Sequence, residues 1–453
     1  MRRRPSEIPK SIVLAVAALA VSAPARAAES PTALAAEGPE EAVASPRELW
    51  ERLEPTLGPF SFAVERDEVV PSDTDPREKL RRVEVRFASQ TVRGNTMNHL
   101  ATAFIPADPA RLQDPRRRGR VVVVGQRLGD DFMLYDYGDP IATRTGYPTM
   151  VLPVPGDFDG LDGEGRWMVF FREIVEETRD PLYHNYFRLA VPYLRALDVF
   201  AALLGEREIR AVIGGHSKRA TSAYTAAAIS PERVDGVVYM GNETVFSLAG
   251  RSHLRPISPA YSQRYVDCPV LYIGATNEDG YEMFAIGKIQ ALMTRPWTIE
   301  YIPNYRHAAS SEKQFADWQM WVAHVFDGRP IAKISDLSHE IRGDGTVFRA
   351  RVSTPNKIVQ VKFWYVYCDD VPYWRDLVWY PTYAPRRDGD LYEAFHDGST
   401  PDAWLVEVKD TAMGFPGYLT SLPQDITGKP TKERISRGWK PRAWTPKPKR
   451  PPG

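Results

Sequence analysis

The chain has 453 residues, of which 58 are basic and 58 acidic. This length accommodates more than one domain, and the charge balance argues against nucleic acid as a partner because no segment expected to fold is strongly basic.

The N-terminal segment has the composition of a secretory signal peptide. Arg2 to Arg4 and Lys10 precede an apolar run from Ile12 to Val21, and Ala25-Arg26-Ala27 supplies small residues at a cleavage position. The apolar run is too short to span a bilayer as a mature helix. We therefore predict that residues 1–27 are removed and that the protein is exported, either to the periplasm or out of the cell. The mature chain would carry 53 basic and 57 acidic side chains.

The next segments predict a linker followed by the edge of a sheet. Residues 28–45 are rich in Ala, Glu and Pro, which is typical of a linker. Arg82 to Ala88 alternates apolar with charged residues, and Asn98 to Ile105 supplies a partner strand after a turn at Gly94-Asn95. We expect an antiparallel hairpin at one edge of the sheet, within a domain spanning residues 46–335.

Four consecutive valines in Arg120 to Val124 predict a central strand that is covered on both faces. The strand is followed by Gly125-Gln126. In enzymes with a sheet of this kind, the loop after such a strand can supply an oxyanion donor, so the backbone N–H of Gln126 or Arg127 is a candidate. A loop with no function remains the alternative.

Tyr147 to Val154 predicts another strand, and a polar loop with Asp157 and Asp159 follows it. Acidic side chains can bind metal ions, but a single cluster without a second converging segment rarely forms a site. We predict no metal site here and no cofactor for the protein.

Residues 209–221 form the central motif of the chain. A helix from Pro192 to Leu204, stopped by Gly205, leads into the apolar run Ala211 to Ile213, and two glycines and Ser217 follow. A strand-to-helix turn that presents a serine is the nucleophile elbow of α/β-hydrolases, in which the next backbone N–H, here that of Lys218, binds an oxyanion.

The segments after this turn continue the alternation of strands and helices. Val234 to Met240 and Val270 to Ala275 read as strands, and residues 244–267 read as an insertion over the site. Glu278 and Asp279 follow the second of these strands, where the acid of a catalytic triad is usual.

A helix from Tyr281 to Met293, a strand from Thr298 to Ile302 and a helix from Lys313 to Phe326 complete the series. His307 lies in the loop before the last helix, which is the place of the catalytic base in this fold. The chain order serine, acid, histidine fits a triad. Either carboxylate can serve as the acid, and Glu243 is a third, weaker candidate.

From Glu340 onward the pattern consists of strands alone, which predicts a small Ig-like β sandwich over residues 336–425. The expected strands are Thr346–Val352, Ile358–Tyr367, Asp376–Tyr380 and Ala403–Val408. Four tryptophans could form a sugar-stacking platform, although core positions are commoner for this residue. They are Trp364, Trp374, Trp379 and Trp404.

Two further features concern the cysteines and the C-terminal tail. Cys268 and Cys368 fall in different predicted domains, so we do not expect them to form a disulfide. Residues 426–453 are basic and rich in proline, which predicts a disordered tail.

The motif around Ser217 resembles the Gly-x-Ser-Lys-Arg-Gly signature of the PhoPQ-activated pathogenicity-related proteins, a family with the α/β-hydrolase fold. The arginine that follows the serine by two is shared, whereas Ala220 replaces the family's glycine. Three other stretches agree in order and approximate spacing, so that the resemblance extends over most of residues 80–420: Ser89-Gln90 with Asn98-His99, Arg195-Ala196-Leu197-Asp198, and Pro303-Asn304-Tyr305-Arg306-His307. The family's spacing from acid to histidine favours Glu278 over Asp279.

Together, the residues and the resemblance predict an exported serine hydrolase without a cofactor. Ser217 is the expected nucleophile, His307 the base, and Glu278 or Asp279 the acid, with the N–H groups of Lys218 and Gln126 as oxyanion donors. The expected substrate is a small-molecule or carbohydrate ester, and we expect no membrane span. A serine peptidase and a non-catalytic binding protein on the same scaffold are the alternatives. The sequence does not specify an oligomeric state.

Overall fold

A computed structural model describes residues 44–158, 161, 164–242, 252–278, 286–287, 290, 293, 295–368 and 374–428. The predicted signal peptide, almost all of the predicted linker, most of the predicted helix Tyr281–Met293 and nearly all of the predicted tail lie outside these residues.

A mixed ten-stranded sheet occupies the first two thirds of the described chain. Its strands are β1 (Phe62–Pro71), β2 (Lys79–Val92), β3 (Asn95–Pro106), β4 (Arg120–Gln126), β5 (Thr149–Pro153), β6 (Asp157–Phe158), β7 (Arg210–His216), β8 (Val234–Met240), β9 (Val270–Ala275) and β10 (Thr298–Ile302). The order is β1-β2-β3-β5-β4-β7-β8-β9-β10, with β6 paired to β3. The pairs β1–β2, β2–β3, β3–β5 and β3–β6 are antiparallel. The pairs β5–β4, β4–β7, β7–β8, β8–β9 and β9–β10 are parallel.

Helices cover this sheet. They are α1 (Pro46–Leu53), α2 (Pro109–Gln113), α3 (Asp139–Thr145), α4 (Glu164–Thr178), α5 (Asn185–Arg188), α6 (Ala190–Leu204), α7 (Lys218–Ile229), α8 (Pro259–Ser262) and α9 (Glu312–Asp327), and a π-helical turn spans Leu134–Gly138. The valines of β4 are fully buried, as expected for a parallel strand that is packed on both faces. Strands β8, β9 and β10 have the predicted bounds.

The predicted hairpin forms from β2 and β3, but its expected place at the edge of the sheet is wrong. Strand β1 pairs with β2 on the outer side and forms the edge instead. Most residues of β1 are exposed, and several are charged, which protects an edge strand from pairing with other chains. The absence of a clear apolar alternation explains why the sequence did not reveal this strand.

Two antiparallel sheets follow. One contains β11 (Lys333–Arg342), β12 (Gly345–Ser353), β15 (Arg386–Asp388) and β16 (Leu391–Asp397), and the other contains β13 (Lys357–Val366), β14 (Trp379–Tyr383), β17 (Ala403–Ala412), β18 (Phe415–Thr420) and β19 (Gln424–Asp425). The Phe348 ring of the first sheet lies 5.8 Å from Phe363 and 5.2 Å from Trp404 of the second. The two sheets therefore pack face to face, while the Ig-like assignment stays a prediction.

The four tryptophans of this unit differ in their burial. Trp379 and Trp404 are buried, as the commoner interpretation predicted. Trp364 is half-buried and has the Lys362 ammonium 5.5 Å from its ring, and the side chain of Trp374 lies outside the described part. Cys268 and Cys368 are both buried free thiols.

The architecture is α/β-hydrolase-like, with a mixed sheet, covering helices and an additional C-terminal β region. Buried side chains run continuously from the large sheet and α9 into the C-terminal sheets. Within the described residues, no helix has both the length and the apolar character that crossing a membrane requires.

Candidate active site

Ser217 lies at the tip of the turn between β7 and α7. Its backbone has φ 61° and ψ −130°, a strained conformation for a residue with a side chain. The Ser217 N–H donates to the Met240 carbonyl at 2.8 Å, which fixes the turn against β8. Although Ser217 occupies the N-cap position of α7, its side chain makes no capping hydrogen bond. The hydroxyl is therefore not used to cap the helix.

Small residues let the turn approach its neighbours closely. A Cβ on Gly215 would lie 2.8 Å from the Arg219 Cβ and 2.8 Å from the Tyr193 hydroxyl, and one on Gly125 would lie 1.8 Å from that hydroxyl. Tyr193 donates to the Gly214 carbonyl at 3.0 Å. Because Gly215 has no side chain, the turn accommodates Arg219 where other elbows of this type carry glycine.

Arg219 is buried and ties the turn to the end of β5. Its Nε donates to the Val154 carbonyl at 2.7 Å. The adjacent Pro153 carbonyl lies 2.7 Å from Nδ1 of buried His99, whose Nε2 lies 2.8 Å from Ser89 Oγ. Burial lowers the pKa of His99 to about 4, so this imidazole is neutral at physiological pH. Arg219 and His99 thus contact adjacent carbonyl groups at the end of β5, and Ser89 contacts His99.

The predicted acid and base lie side by side at the same edge of the sheet. His307 Nδ1 is 2.6 Å from Glu278 Oε1. The Glu278 side chain is 5% exposed, whereas the His307 side chain is 27% exposed. A buried carboxylate in contact with a partly exposed imidazole can fix the orientation of the ring and stabilise its protonated form.

His216, the residue before Ser217, links the turn to the base. The imidazole rings of His216 and His307 have centroids 4.3 Å apart, which places β7 and the His307 loop in direct contact. Burial is the main cause, and the neighbouring His307 the next, that holds the pKa of His216 well below its usual range. Gly241, with φ 56°, borders both rings, and a Cβ there would lie 2.8 Å from His216 Nε2. A bulky side chain at this position would displace the histidines.

The loops that carry Glu278 and His307 are tied to each other. The Asn277 N–H donates to the Tyr305 carbonyl at 3.0 Å, and the Asn304 N–H donates to Thr276 Oγ1 at 2.8 Å. Thr276 Oγ1 in turn donates to Asn277 Oδ1 at 2.7 Å. These bonds hold the acid loop and the base loop in one geometry.

The C-terminal unit supports both loops through backbone atoms. Asn304 Nδ2 donates to the Trp379 carbonyl at 2.9 Å, and the Trp379 N–H donates to Asn304 Oδ1 at 2.8 Å. Asn277 Nδ2 donates to the Leu377 carbonyl at 2.6 Å. The Pro-Asn-x-x-His stretch contained Asn304, but its pairing with a strand about 75 residues later in the chain could not be read from the sequence.

The two predicted oxyanion donors flank the turn. Lys218 is the first residue of α7, so its N–H belongs to the helix N-terminus, which favours negative charge. Gln126 ends β4, whose Gly125 is in register with Gly215 of β7. Gln126 is buried, and its side-chain oxygen has no hydrogen-bond partner within the described structure.

The remaining candidates cannot be placed. Asp279 and Glu243 lie outside the described residues, as do residues 244–251 of the predicted insertion 244–267, whose remainder forms short helical turns that include α8. Among the residues that are described, no group of three or more His, Cys, Asp or Glu side chains is arranged to hold a metal ion. The candidate catalytic residues within the described structure are therefore Ser217, His307 and Glu278.

Comparisons with known proteins place this chain in no family, because neither a family model nor a curated protein matches it. An acetyl xylan esterase from Paenibacillus sp. R4 aligns at 13% identity and a TM-score of 0.44, covering 65% of this chain and 99% of its own. Acetyl xylan esterase 1 from Thermoanaerobacterium sp. JW/SL YS485 has the same identity and TM-score, covering 62% and 93%. An S-formylglutathione hydrolase from Agrobacterium tumefaciens aligns at 14% identity and 0.41, covering 58% and 99%. Likenesses this low carry no information about the activity of this chain.

Proposed function

We propose that the protein is a serine hydrolase that cleaves esters by acyl transfer. The observation that carries this proposal is the contact of His307 with Glu278 at 2.6 Å, at the sheet edge where Ser217 occupies a strained strand-to-helix turn. A nucleophile, a base and an acid that orients the base are the parts that acyl transfer requires.

In the proposed reaction, Ser217 Oγ bonds to the ester carbonyl carbon while His307 Nε2 takes the hydroxyl proton. Glu278 holds the opposite ring nitrogen and stabilises the imidazolium. Collapse of the tetrahedral intermediate breaks the ester C–O bond, and His307 returns the proton to the departing alcohol. Water then attacks the acyl-enzyme with His307 again as base, which releases the acid and restores Ser217.

The negative oxygen of each tetrahedral intermediate requires donors that are already oriented. The N–H groups of Lys218 and Gln126 are the proposed donors, because one opens α7 and the other ends the strand beside β7. Removal of one such donor typically costs about a hundredfold to a thousandfold in turnover. Since backbone groups supply them, no substitution of the Lys218 side chain alone should remove the donor.

The proposed substrate class is a carbohydrate or small-molecule ester. The predicted signal peptide favours a substrate outside the cytoplasm. We also propose that the chain is related to the PhoPQ-activated pathogenicity-related proteins, on the motifs that resemble theirs. N-terminal sequencing of exported material should begin at Ala28 or within a few residues of it. An intact Met1 on exported protein would contradict the export proposal without affecting the chemistry.

A fluorophosphonate probe tests the nucleophile directly. We expect covalent labelling of the full chain at Ser217 and none of Ser217→Ala, with a Ser222→Ala variant labelled like the wild type because Ser222 Oγ donates to the Lys218 carbonyl inside α7. Turnover of short acyl esters and acetylated sugars should follow labelling. Absence of both labelling and turnover would instead favour a binding protein on a hydrolase scaffold.

A further inference from the structure

A basic cleft lies at the opposite edge of the large sheet from the candidate active site. Its volume is about 590 Å³, and it opens between the start of β4 and the hairpin of β17 and β18. Two groups of lining residues define the cleft. One is the apolar pair Met413 and Phe415, and the other is a set of four arginines: Arg116, Arg117, Arg120 and Arg144. Because β4 runs from Arg120 to Gln126, the cleft is roughly 20 Å from the Ser217 turn.

The cleft concentrates positive charge, and among its four arginines only Arg117 has a carboxylate partner in the described structure, Asp114 at 3.9 Å. Asp327 is the one carboxylate among its lining residues, and Asp327 Oδ1 already accepts a hydrogen bond from the Tyr147 hydroxyl at 2.7 Å. No described carboxylate lies within 4.0 Å of Arg116, Arg120 or Arg144 in an ion pair. By contrast, the neighbouring Arg118 pairs with Glu206 at 2.9 Å.

Two of the arginines are fixed in place by backbone carbonyls. Arg117 Nη1 donates to the Thr145 carbonyl, and a Cβ on Gly146 would lie 2.3 Å from that nitrogen. Arg120 Nη1 donates to the Phe326 carbonyl at 2.9 Å, at the end of α9. Capping of the helix ends explains the positions of these two residues, which also line the cleft.

Capping does not explain the other two arginines. Arg116 is exposed and its side chain has no hydrogen bond to any described residue. Arg144 is also exposed, and its one side-chain hydrogen bond to a described residue goes to Gln319 Oε1 at 3.2 Å. Bringing unpaired guanidinium groups together is unfavourable unless an anion binds between them, and the planar fork of arginine matches carboxylates and similar oxyanions.

The opposite wall of the cleft is apolar. The Met413 side chain is 54% exposed, and Phe415 is half-buried beside it. A ligand that fits both walls carries anionic groups on one side and C–H surface on the other. A sugar acid has this character, because its carboxylates project from rings with apolar faces.

We propose that this cleft binds a carboxylated glycan, with uronate carboxylates held by Arg116 and Arg144 and a sugar ring against Met413 and Phe415. That the ligand is an anion follows from the cleft alone, whereas its identification as a glycan rests on the proposed function. The same carboxylate chemistry occurs in a polymer and in a free oligomer. A polymer bound here would be held on the protein without occupying the Ser217 turn.

Binding of polygalacturonate and of free trigalacturonate to the full chain tests the proposal. We expect Arg116→Ala with Arg144→Ala to weaken binding by about tenfold or more, because the variant loses the charge-assisted hydrogen bonds from both guanidinium groups. The matched control is Arg179→Ala with Arg386→Ala, two exposed arginines outside the cleft, which should change binding by less than about twofold. Replacement of Arg116 and Arg144 by lysine should give an intermediate loss, since lysine keeps the charge but not the fork.

The outcomes separate this proposal from the catalytic one. Binding of the trimer with the same dependence on the arginines would identify a free sugar acid as the ligand, and binding of the polymer alone would identify a glycan. Equal losses in both double variants, or tighter binding of inorganic pyrophosphate than of either uronate, would overturn the proposal. Hydrolysis of a small neutral ester should be unchanged in Arg116→Ala with Arg144→Ala. If that hydrolysis is absent from the wild type while binding persists, the esterase proposal fails and this one stands.

Discussion

The mixed sheet and the two C-terminal sheets are packed on different principles. The parallel strands of the mixed sheet are buried on both faces, as the fully buried β9 shows, whereas in β13 more buried residues alternate with less buried ones over most of the strand. Parallel strands direct their carboxyl ends to one edge, and Ser217, Glu278 and His307 all follow strands at that edge. The C-terminal sheets supply no candidate catalytic side chain from their described residues.

The C-terminal sheets nevertheless contact the candidate site. The backbone of residues 375–379 bonds to the amides of Asn277 and Asn304, and Asp376 Oδ1 lies 3.8 Å from Arg306 Nη2 beside His307. The comparison separates two tasks: the parallel sheet presents the reactive groups, and the antiparallel unit restrains the loops that carry two of them. Substitutions in the two regions should therefore affect turnover and stability differently.

Removal of the nucleophile or the base should have the largest effect. Ser217→Ala and His307→Ala should each reduce ester turnover by about a thousandfold or more, and the double variant should be scarcely worse, because the serine is a weak nucleophile without its base. Initial rates on short acyl esters measure this loss. Losses that multiply would show that the two residues act independently, and melting temperatures of the variants should stay near that of the wild type.

Neutralisation of the acid should have the next largest effect. Glu278→Gln should lower turnover by about a hundredfold or more while preserving the fold, because a neutral amide stabilises the imidazolium less than a carboxylate. Asp279→Asn is the matched control and should cost far less. A larger loss from Asp279→Asn would assign the acid to that residue, and small equal losses would direct attention to Glu243.

Disruption of the contact between the units should lower turnover more modestly. Asn304→Ala removes both bonds to Trp379 and should reduce kcat by about tenfold with little change in KM, since loop geometry is altered but substrate contacts are not. Asn356→Ala is the control, because Asn356 Nδ2 contacts the Pro330 carbonyl and Asp410 Oδ2 toward the other end of β17. Asn304→Ala should lose more stability than the control, because Asn304 has φ 57° and alanine tolerates this conformation less well than asparagine, but only Asn304→Ala should lose turnover. Equal kcat values would contradict a positioning role for Asn304.

The smallest expected effect is a pH dependence of stability at the junction of the two units. Burial raises the pKa of Glu300 to about 7, and burial together with Glu300 raises the pKa of Asp317 well above its usual range. Lys313 and Glu407 also face this pair, and the Tyr418 N–H donates to Asp317 Oδ1 at 2.7 Å. The folded protein therefore binds more protons than the unfolded chain between roughly pH 4.5 and 7.

Because the folded protein binds more protons than the unfolded chain, its stability should fall as pH rises through that window. Glu300→Gln removes one of the two carboxyls and offers a donor to Asp317, so its melting temperature should vary less between pH 5 and pH 8 than that of the wild type. Thermal unfolding at several pH values measures the difference. Glu340→Gln is a suitable control. Glu340 is an exposed carboxylate of the C-terminal unit, and its pKa is lowered, mainly by its hydrogen bonds with Arg342, so it does not titrate in this window. Parallel pH profiles of the wild type and Glu300→Gln would refute the prediction.

The sequence by itself determined the features that depend on near neighbours in the chain. The valine run of β4, the glycine stop after α6 and the small residues around Ser217 each specify a local conformation, and the structure forms these elements where they were predicted. The order of Ser217, the acidic loop and His307 also followed from the alternation of strands and helices. The mixed α/β sheet and the candidate site residues could therefore be predicted before any contact was known.

Only the tertiary structure decided which distant segments meet. It placed Glu278 against His307, brought Trp379 to Asn304, added β1 outside the predicted hairpin and gathered Arg116 and Arg144 into one cleft. Side-chain periodicity reports which face of an element is buried, but it carries no information about the partner that buries it. These pairings result from the packing of the whole sheet, because the strands and helices that carry them are positioned by contacts between residues far apart in the chain.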